Sequence, residues 1–144
     1  MRNITKIILH STATREGKDY NVEDIRQWHI NRGWTDIGYH YVITLDGTIQ
    51  DGRDIRQFGA HCKNHNYNSI GIVYVGGVDD NLKPKDTRTN EQKESLYQLI
   101  DDLLLAYDLD IDDVYCHYQL GKTLCPSFKI ETFKEEYNEW KRNN

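Results

Sequence analysis

The sequence has few cysteines, few prolines and no long apolar run. Its three cysteines are odd in number and irregularly spaced, so we do not expect the disulfide framework of a small secreted protein. The apolar run near the amino terminus is broken by His10 and is far shorter than the roughly 7 to 15 apolar residues of a signal peptide. No segment approaches the roughly 20 apolar residues that cross a bilayer. The sequence therefore predicts a protein without membrane insertion that is cytoplasmic as synthesised.

The sequence also lacks an excess of basic residues. It carries 18 Lys and Arg against 23 Asp and Glu, a formal net charge of −5. Proteins that bind nucleic acid mainly through its phosphates need clustered positive charge, so nucleic acid is not an expected partner. With 38% hydrophobic and 28% charged residues, the composition is that of an ordinary globular protein. The length suits one domain, and we expect a single domain over residues 1–144 that acts as a monomer.

Three short apolar segments predict buried strands. Residues 4–9 are β-branched and apolar, and they place His10 at the carboxyl end of a strand. Residues 70–76 form a nearly unbroken apolar run, as expected for the central strand of a sheet that is covered on both faces. Residues 114–116 predict a further strand that ends at His117. Two histidines are therefore expected at strand ends.

A hairpin and three helices complete the predicted secondary structure. The dipeptide Asp46-Gly47 predicts a tight turn, with both central residues at positive φ, between strands at 39–45 and 48–52. Capping residues and apolar residues at helical spacing predict helices that begin after Asn21, after Thr89 and near residue 129. This order of elements predicts an α/β fold, with a mixed central sheet flanked by about three helices in one domain.

Three residues have the chemistry of a metal site. His10 and His117 follow strands, and Cys125 lies beyond His117 in a loop that is stopped by Pro126. Imidazole and thiolate are good zinc ligands, and three protein ligands with a fourth position left for water is the arrangement of catalytic zinc sites. The spacing alone does not separate this interpretation from histidines at the surface or in hydrogen bonds.

Four blocks of sequence carry a resemblance to a known family. They are ILHSTAT, IRQWHINRGWTDIGYHYVITLDGTIQDGRD, GAHCKNHNYNSIGIVYVGG and CHYQLGKTLCPSF. In order and spacing they resemble the type 2 N-acetylmuramoyl-L-alanine amidases, a family that includes the lysozyme of T-odd coliphages and the peptidoglycan recognition proteins. The match spans nearly the whole chain. The resemblance implies the mixed α/β fold of that family and zinc-dependent hydrolysis of the bond between N-acetylmuramic acid and L-alanine in peptidoglycan.

The resemblance also implies roles for individual residues. It assigns His10, His117 and Cys125 as the ligands of one zinc ion per chain. It assigns Tyr39 as a catalytic tyrosine that steadies the attacking water or the oxyanion. From its position alone, Tyr39 is equally a strand aromatic that packs against Trp34.

One departure from the family concerns a catalytic lysine, which the coliphage members carry two residues before the cysteine ligand. Here Thr123 stands at that position and Lys122 one place earlier. Hydrolytic recognition proteins resemble this chain in having threonine there, so the departure does not imply inactivity. We expect Thr123 to donate a hydrogen bond to the developing oxyanion, or Lys122 to do so if the loop turns it inward. Otherwise Lys122 is a solvated loop residue.

The substrate implied by the resemblance is peptidoglycan or a muropeptide. The matching blocks place His61, Trp34 and Asn68 among the expected substrate-binding residues. His61 belongs to GAHCKN, a block that lines the substrate cleft in this family. Its alternative is a plain surface histidine.

Two other functions remain open. Some recognition proteins bind muropeptides without cutting them and often lack the cysteine ligand, so the presence of Cys125 favours hydrolysis over such a binding module. A nucleophilic hydrolase would instead use Cys62 or Cys116 with the neighbouring histidine. Adjacent residues on a strand point to opposite faces, which disfavours that pairing, and both cysteines are expected to be buried thiols.

Overall fold

The computed structural model describes residues 2–144, which form a mixed sheet with helices packed on both faces. The strands are β1 (Lys6–Ser11), β2 (Thr14–Arg15), β3 (Tyr41–Ile43), β4 (Ile49–Asp51), β5 (Ser69–Tyr74), β6 (Gly77–Val78) and β7 (Val114–Cys116). The helices are α1 (Val22–Asn31), α2 (Asn90–Ala106) and α3 (Ile130–Arg142). Short 3₁₀ turns lie at Asn66–Asn68, Ile111–Asp113 and His117–Gln119. The predicted α/β fold with three helices is confirmed.

The main sheet contains five strands in the order β4-β3-β5-β1-β7. Its strands are parallel except β4, which pairs antiparallel with β3. β5 is the middle strand, as its apolar run predicts, and β1 lies between β5 and β7. A second, two-stranded parallel sheet of β2 and β6 was not expected from the sequence. Because β1 and β7 are parallel neighbours, their carboxyl ends lie at the same edge of the main sheet.

Alternate residues of the strands point into two separate cores. On one face Leu9 and Ile72 belong to the larger core, which contains the buried apolar residues of α2 and α3. On the other face Val73 packs in a smaller core with Ile25 of α1. His10 alternates with Leu9, so it lies on the same side of the sheet as the smaller core.

The predicted N-cap at Asn21 and the predicted capping box at Thr89 are both present, and Asn21 also forms a capping box. The side chain of Asn21 accepts the backbone N–H of Asp24, and the Asp24 side chain accepts the N–H of Asn21. Thr89 and Gln92 make the same exchange at the start of α2, at 2.9 and 3.0 Å. Gln92 is fully buried, and its amide also donates to the carbonyl of Val75 at 3.0 Å. A cap of this kind contributes about 1 kcal/mol, and here it also ties α2 to the sheet.

The hairpin between β3 and β4 differs from the prediction. The strands pair over three residues each rather than over 39–45 and 48–52. Gly47 has a φ of 85°, but Asp46 is not among the residues at positive φ. The N–H of Gly47 donates to the carbonyl of Thr44 at 2.9 Å, which is a type I turn followed by a left-handed glycine. The Asp46 carboxylate accepts from the Thr44 hydroxyl at 2.7 Å, and this contact stabilises the observed turn.

Within residues 2–144, no helix is both long and apolar enough to cross a bilayer.

Candidate active site

Two parallel strands bring the predicted histidines together. β1 and β7 pair with Leu9 opposite Cys116. His10 follows Leu9 and His117 follows Cys116, so both histidines lie at the same level of the sheet. Their ring centroids are 4.7 Å apart. His10 is buried and His117 is half-buried.

The loop after β7 brings Cys125 to the same place. The N–H of Tyr118 donates to the carbonyl of Cys125 at 3.0 Å, and the hydroxyl of Tyr74 donates to the carbonyl of Pro126 at 2.7 Å. These two bonds hold the loop against the ends of β5 and β7. The backbone N–H of Ser11 donates to Sγ of Cys125 at 3.1 Å. A hydrogen bond of this kind stabilises a thiolate.

His10, His117 and Cys125 form a group that could hold a metal ion. One ligand atom from each residue lies within 4.8 Å of the others. Nδ1 of His10 is 3.8 Å from Sγ of Cys125. Zn–N bonds of about 2.0–2.1 Å and Zn–S bonds of about 2.3 Å would allow one ion to bridge atoms at this separation. Two imidazoles and one thiol fit zinc, and they leave a fourth position for water or substrate.

Burial controls the protonation of this group. It lowers the pKa of His10, with the neighbouring imidazoles of His61 and His117 adding to the effect, and it lowers the pKa of His117. Both rings are therefore neutral at neutral pH, the form that binds metals. Burial raises the pKa of the Cys125 thiol to about 11, against the opposing effect of the Ser11 N–H. A cation between these atoms favours the thiolate.

Tyr39 lies beside His10, with their ring centroids 5.1 Å apart. Burial raises the pKa of the Tyr39 phenol far above its usual value, and a Cys125 thiolate adds to the rise. The hydroxyl therefore keeps its proton and can donate it in a hydrogen bond. His29 packs against Tyr39 at 5.5 Å and against Trp34 at 4.6 Å. Trp34 is thus connected to Tyr39 through the imidazole of His29, and it is 37% exposed next to the group.

His61 is buried beside His10. Its Nδ1 is 2.8 Å from Nε2 of His10, and its Nε2 is 3.3 Å from Oγ of Ser69. The pKa of His61 is lowered well below its usual value, chiefly by burial, so this ring is neutral as well. The alternative of a plain surface histidine is wrong, because only 9% of the residue is exposed. The predicted contact with substrate stays a prediction.

Thr123 and Lys122 lie on the loop before Cys125. Oγ1 of Thr123 accepts the N–H of Cys125 at 3.1 Å, so the hydroxyl supports the position of this residue. Thr123 also borders a surface cavity of about 420 Å³, together with Leu124 and Phe128. Lys122 is exposed. A contact of either side chain with an oxyanion stays a prediction.

Asn68 is not brought to the metal-ligand group. Its carbonyl accepts the N–H of Thr5 at 2.8 Å, so it is level with the start of β1, whereas His10 is near the end of that strand. Five residues of strand correspond to about 16 Å. The predicted substrate contact of Asn68 stays a prediction. His61, from the same sequence block, reaches His10 through its side chain, a tertiary contact that the block does not reveal.

Three residues with contacts at the site were not predicted from the sequence. Ser11 acts through its backbone N–H, and a backbone group leaves no signal in the residue type. Ser69 and Tyr74 begin and end β5. A polar residue at each end of an otherwise apolar strand is a signal that could have identified them.

The two remaining cysteines lie outside the group. Sγ of Cys116 points to the carbonyl of Phe128 at 3.8 Å, within the larger core. Burial raises the pKa of Cys116 to about 12, and it also raises the pKa of Cys62. Both thiols are buried, as predicted, and stay protonated at neutral pH. A nucleophilic role for either is therefore disfavoured.

Known proteins are similar to this chain over most of its length. A family model described as N-acetylmuramoyl-L-alanine amidase matches residues 1–128. The chain is 39% identical over 130 residues to the endolysin of Escherichia phage T7, which covers 90% of this chain and 85% of that protein. It is 30% identical over 141 residues to peptidoglycan-recognition protein SC2 of Drosophila melanogaster, which covers 93% of this chain and 74% of that protein.

A solved structure shares the fold. The N-acetylmuramoyl-L-alanine amidase LysC from Clostridium intestinale superimposes with a TM-score of 0.81 at 30% sequence identity, covering 95% of this chain and 87% of that chain. Sequence and structure agree with the resemblance drawn from the four blocks. The chain belongs to the N-acetylmuramoyl-L-alanine amidase family.

Proposed function

We propose that the chain hydrolyses the amide bond between N-acetylmuramic acid and L-alanine of the peptidoglycan stem peptide, with one zinc ion held by His10, His117 and Cys125. The observation that carries this proposal is the approach of two imidazoles and one thiol to within 4.8 Å of one another. When bound, zinc lowers the pKa of water to about 7 and polarises a carbonyl group, which are the two needs of amide hydrolysis.

The residues around the ligands have separate tasks in this proposal. The N–H of Ser11 offsets part of the cost of a buried Cys125 thiolate, because it donates directly to the sulfur at 3.1 Å. Tyr39 keeps its proton at neutral pH and donates a hydrogen bond to the oxygen that gains charge as the carbonyl becomes tetrahedral. Thr123 holds Cys125 in place through its N–H and is also a candidate donor to the oxyanion. The exposed face of Trp34 offers an aromatic surface to the substrate.

We also propose the domain, the oligomeric state and the location in which the reaction takes place. Residues 1–144 act as one amidase domain and as a monomer, with peptidoglycan or muropeptides as substrate. The protein is made in the cytoplasm and acts on the cell wall after release. The similarity to the endolysin of Escherichia phage T7 supports this extension.

Digestion of purified peptidoglycan tests the reaction. The zinc-loaded protein should release new amino groups of L-alanine without new reducing sugar ends. New reducing ends alone would refute the amidase and indicate a glycosidase. Removal of zinc by a chelator should stop the release, and added zinc should restore it.

A matched pair of cysteine variants separates cutting from binding. Cys125→Ser removes a proposed ligand and should abolish cleavage while leaving muropeptide binding largely intact. Cys62→Ala removes a buried thiol outside the group and should keep the activity. Equal turnover by Cys125→Ser and the wild type would overturn the zinc mechanism. A wild-type protein that binds muropeptides and releases no amines would be a binding module instead.

A further inference from the structure

A chain of hydrogen bonds runs from the start of β5 to His10. Oγ of Ser69 is 2.7 Å from the carbonyl oxygen of His65 and 3.3 Å from Nε2 of His61. Nδ1 of His61 is 2.8 Å from Nε2 of His10. The side chains are buried, with residue exposures of 0% for Ser69, 9% for His61 and 2% for His10. Water therefore cannot easily replace any of these three side chains in its hydrogen bonds.

The direction of each hydrogen bond follows from the group at its end. The carbonyl of His65 can only accept, so the hydroxyl of Ser69 donates its one proton there. His61 must then donate its Nε2–H to Oγ of Ser69. A neutral imidazole carries a single N–H, so Nδ1 of His61 accepts the Nε2–H of His10. Nδ1 of His10 keeps its lone pair on the side of Cys125, whose sulfur is 3.8 Å away.

Two glycines make room for the ring of His61. A Cβ atom at Gly71 would lie 2.6 Å from the ring, and one at Gly59 would lie 2.7 Å from its Cδ2. Side chains at these positions would displace the imidazole from its place between β5 and His10. The side chain of Asn66 also accepts the backbone N–H of His61 at 2.9 Å. The position of His61 is therefore determined by backbone and side-chain contacts on several sides.

We propose that His61 is a positioning residue that accepts the Nε2 proton of His10 and so holds His10 in the tautomer and orientation that present Nδ1 to the metal ion. The inference rests on the proposed zinc site for the identity of the ion, whereas the tautomer belongs to the metal-free protein. Partners of this kind behind a metal-binding histidine typically change metal affinity about 10- to 100-fold. The proposal gives His61 a task inside the protein in place of the predicted contact with substrate.

Nitrogen NMR of the metal-free wild type tests the tautomers directly. Protein labelled with ¹⁵N-histidine should show the proton on Nε2 of both His10 and His61 at neutral pH. A proton on Nδ1 of either ring would overturn the proposal. This measurement needs neither zinc nor peptidoglycan, so its outcome is independent of whether the chain is an amidase.

A pair of substitutions of similar size tests the consequence for zinc. His61→Asn retains an acceptor, because its Oδ1 is the same number of bonds from the backbone as Nδ1, and His61→Leu removes the acceptor. We expect His61→Leu to weaken zinc binding about 10- to 100-fold in competition with a chromophoric chelator, and His61→Asn to stay close to the wild type. Thermal unfolding of the metal-free variants shows whether both fold, and the NMR result stands if one does not.

Cobalt provides a spectroscopic readout of the same effect. Co²⁺ bound to the wild type and to His61→Asn should give the same visible spectrum, with the thiolate charge-transfer band of Cys125, and His61→Leu should alter it. Equal zinc affinities and spectra in the two variants would overturn the proposal. So would an increase of KM in both variants at saturating zinc with unchanged zinc affinity, because that pattern indicates a substrate contact. A protein with the expected tautomers and affinities but no cleavage would refute only the proposed amidase function.

Discussion

The backbone N–H of Ser11 points at the thiol of Cys125, 3.1 Å from Sγ. Ser11 is the last residue of β1, so this bond joins the strand that carries His10 to the loop that follows β7. The N–H favours the thiolate, whereas burial disfavours it and has the larger effect, raising the pKa to about 11. The thiol is therefore protonated in the metal-free protein and ionises when a cation binds.

As the pH is lowered from about 8 to about 6, zinc affinity should fall about tenfold for each pH unit. The Cys125 thiol has a pKa raised to about 11, so it must lose its proton to bind the ion over this whole range. The pKa values of His10 and His117 are lowered, so these rings are already neutral and release no further proton. Chelator competition at several pH values measures the slope. Cys125→Ser should lose it, and a wild-type affinity that does not change with pH would contradict the ligand role of Cys125.

Tyr39→Phe should lower kcat about 10²- to 10³-fold, the usual effect of removing one donor to an oxyanion. Zinc affinity should not change, because the tyrosine packs beside His10 and is outside the proposed ligand set. Steady-state kinetics on muropeptides and a zinc titration measure the two quantities separately. Tyr67→Phe is the control, since Tyr67 is 67% exposed, and it should retain the wild-type rate. A Tyr39→Phe variant with normal kcat would leave Tyr39 as a packing residue.

Thr123→Ala should weaken zinc binding about fivefold, which corresponds to the loss of about 1 kcal/mol for one hydrogen bond. The lost bond is the one that Oγ1 accepts from the N–H of Cys125 at 3.1 Å. Thr123→Ser keeps the hydroxyl and should restore the affinity. Lys122→Ala should leave zinc affinity unchanged, because this side chain is exposed. A fall of kcat in Lys122→Ala alone would assign the oxyanion contact to the lysine.

Features of the fold that depend on local sequence could be predicted. The caps at Asn21 and Thr89 need only residues within one turn of each helix, and both helices begin where these caps predict. The strand before His10 and the strand before His117 follow from short apolar runs. Since parallel neighbouring strands end at the same edge, the proximity of the two histidines also follows once β1 and β7 are adjacent.

Features that depend on contacts between distant segments could not be predicted. His61 and Asn68 are close in sequence, yet the side chain of His61 reaches His10 near the end of β1, whereas Asn68 is level with the start of that strand. The tight-turn rule for Asp46-Gly47 was wrong because the Asp46 side chain bonds to Thr44 and stabilises a different turn. These outcomes depend on tertiary contacts that residue types and spacing do not specify.

The metal-free protein should lose stability in acid through His40. Its Nδ1 accepts the N–H of Gly71 at 3.0 Å and its Nε2–H donates to the carbonyl of Gln57 at 2.8 Å, so the folded protein holds the neutral ring. Burial lowers its pKa to about 4, below the value of about 6.5 in the unfolded chain. This stabilisation is present above about pH 6.5 and is lost as the pH falls towards 4, by about 3 kcal/mol.

Urea unfolding of the metal-free protein between about pH 7 and pH 4 measures this effect. His40→Asn keeps an acceptor for the N–H of Gly71 and cannot titrate, so its stability should depend less on pH than that of the wild type. Other buried histidines, including His29, contribute to the remaining slope. An unchanged pH dependence in His40→Asn would show that His40 is not held neutral.

Arg88 is a buried cation. Its contacts connect the segment before α2 with α3 and with the end of the loop that carries Cys125. Its side chain is 0% exposed and pairs with Asp86 at 2.9 Å and with Glu136 at 3.0 Å. The guanidinium also lies 3.9 Å from the centroid of the Phe128 ring. Arg88→Met keeps an apolar chain of similar length but leaves both carboxylates without this partner. We expect a loss of about 3 kcal/mol in the free energy of unfolding, at the lower end of the range for broken buried pairs because both carboxylates are partly exposed.

The matched control for Arg88→Met is Arg56→Met, which breaks the exposed pair of Arg56 with Asp54. An exposed pair contributes at most about 1 kcal/mol, because water screens the charges and two mobile side chains must be ordered. Urea unfolding of both metal-free variants at neutral pH compares the two losses. Because Phe128 follows Cys125 closely in the chain, Arg88→Met should also weaken zinc binding, whereas Arg56→Met should not. Equal losses of stability in the two variants would contradict a structural role for burial of the Arg88 charge.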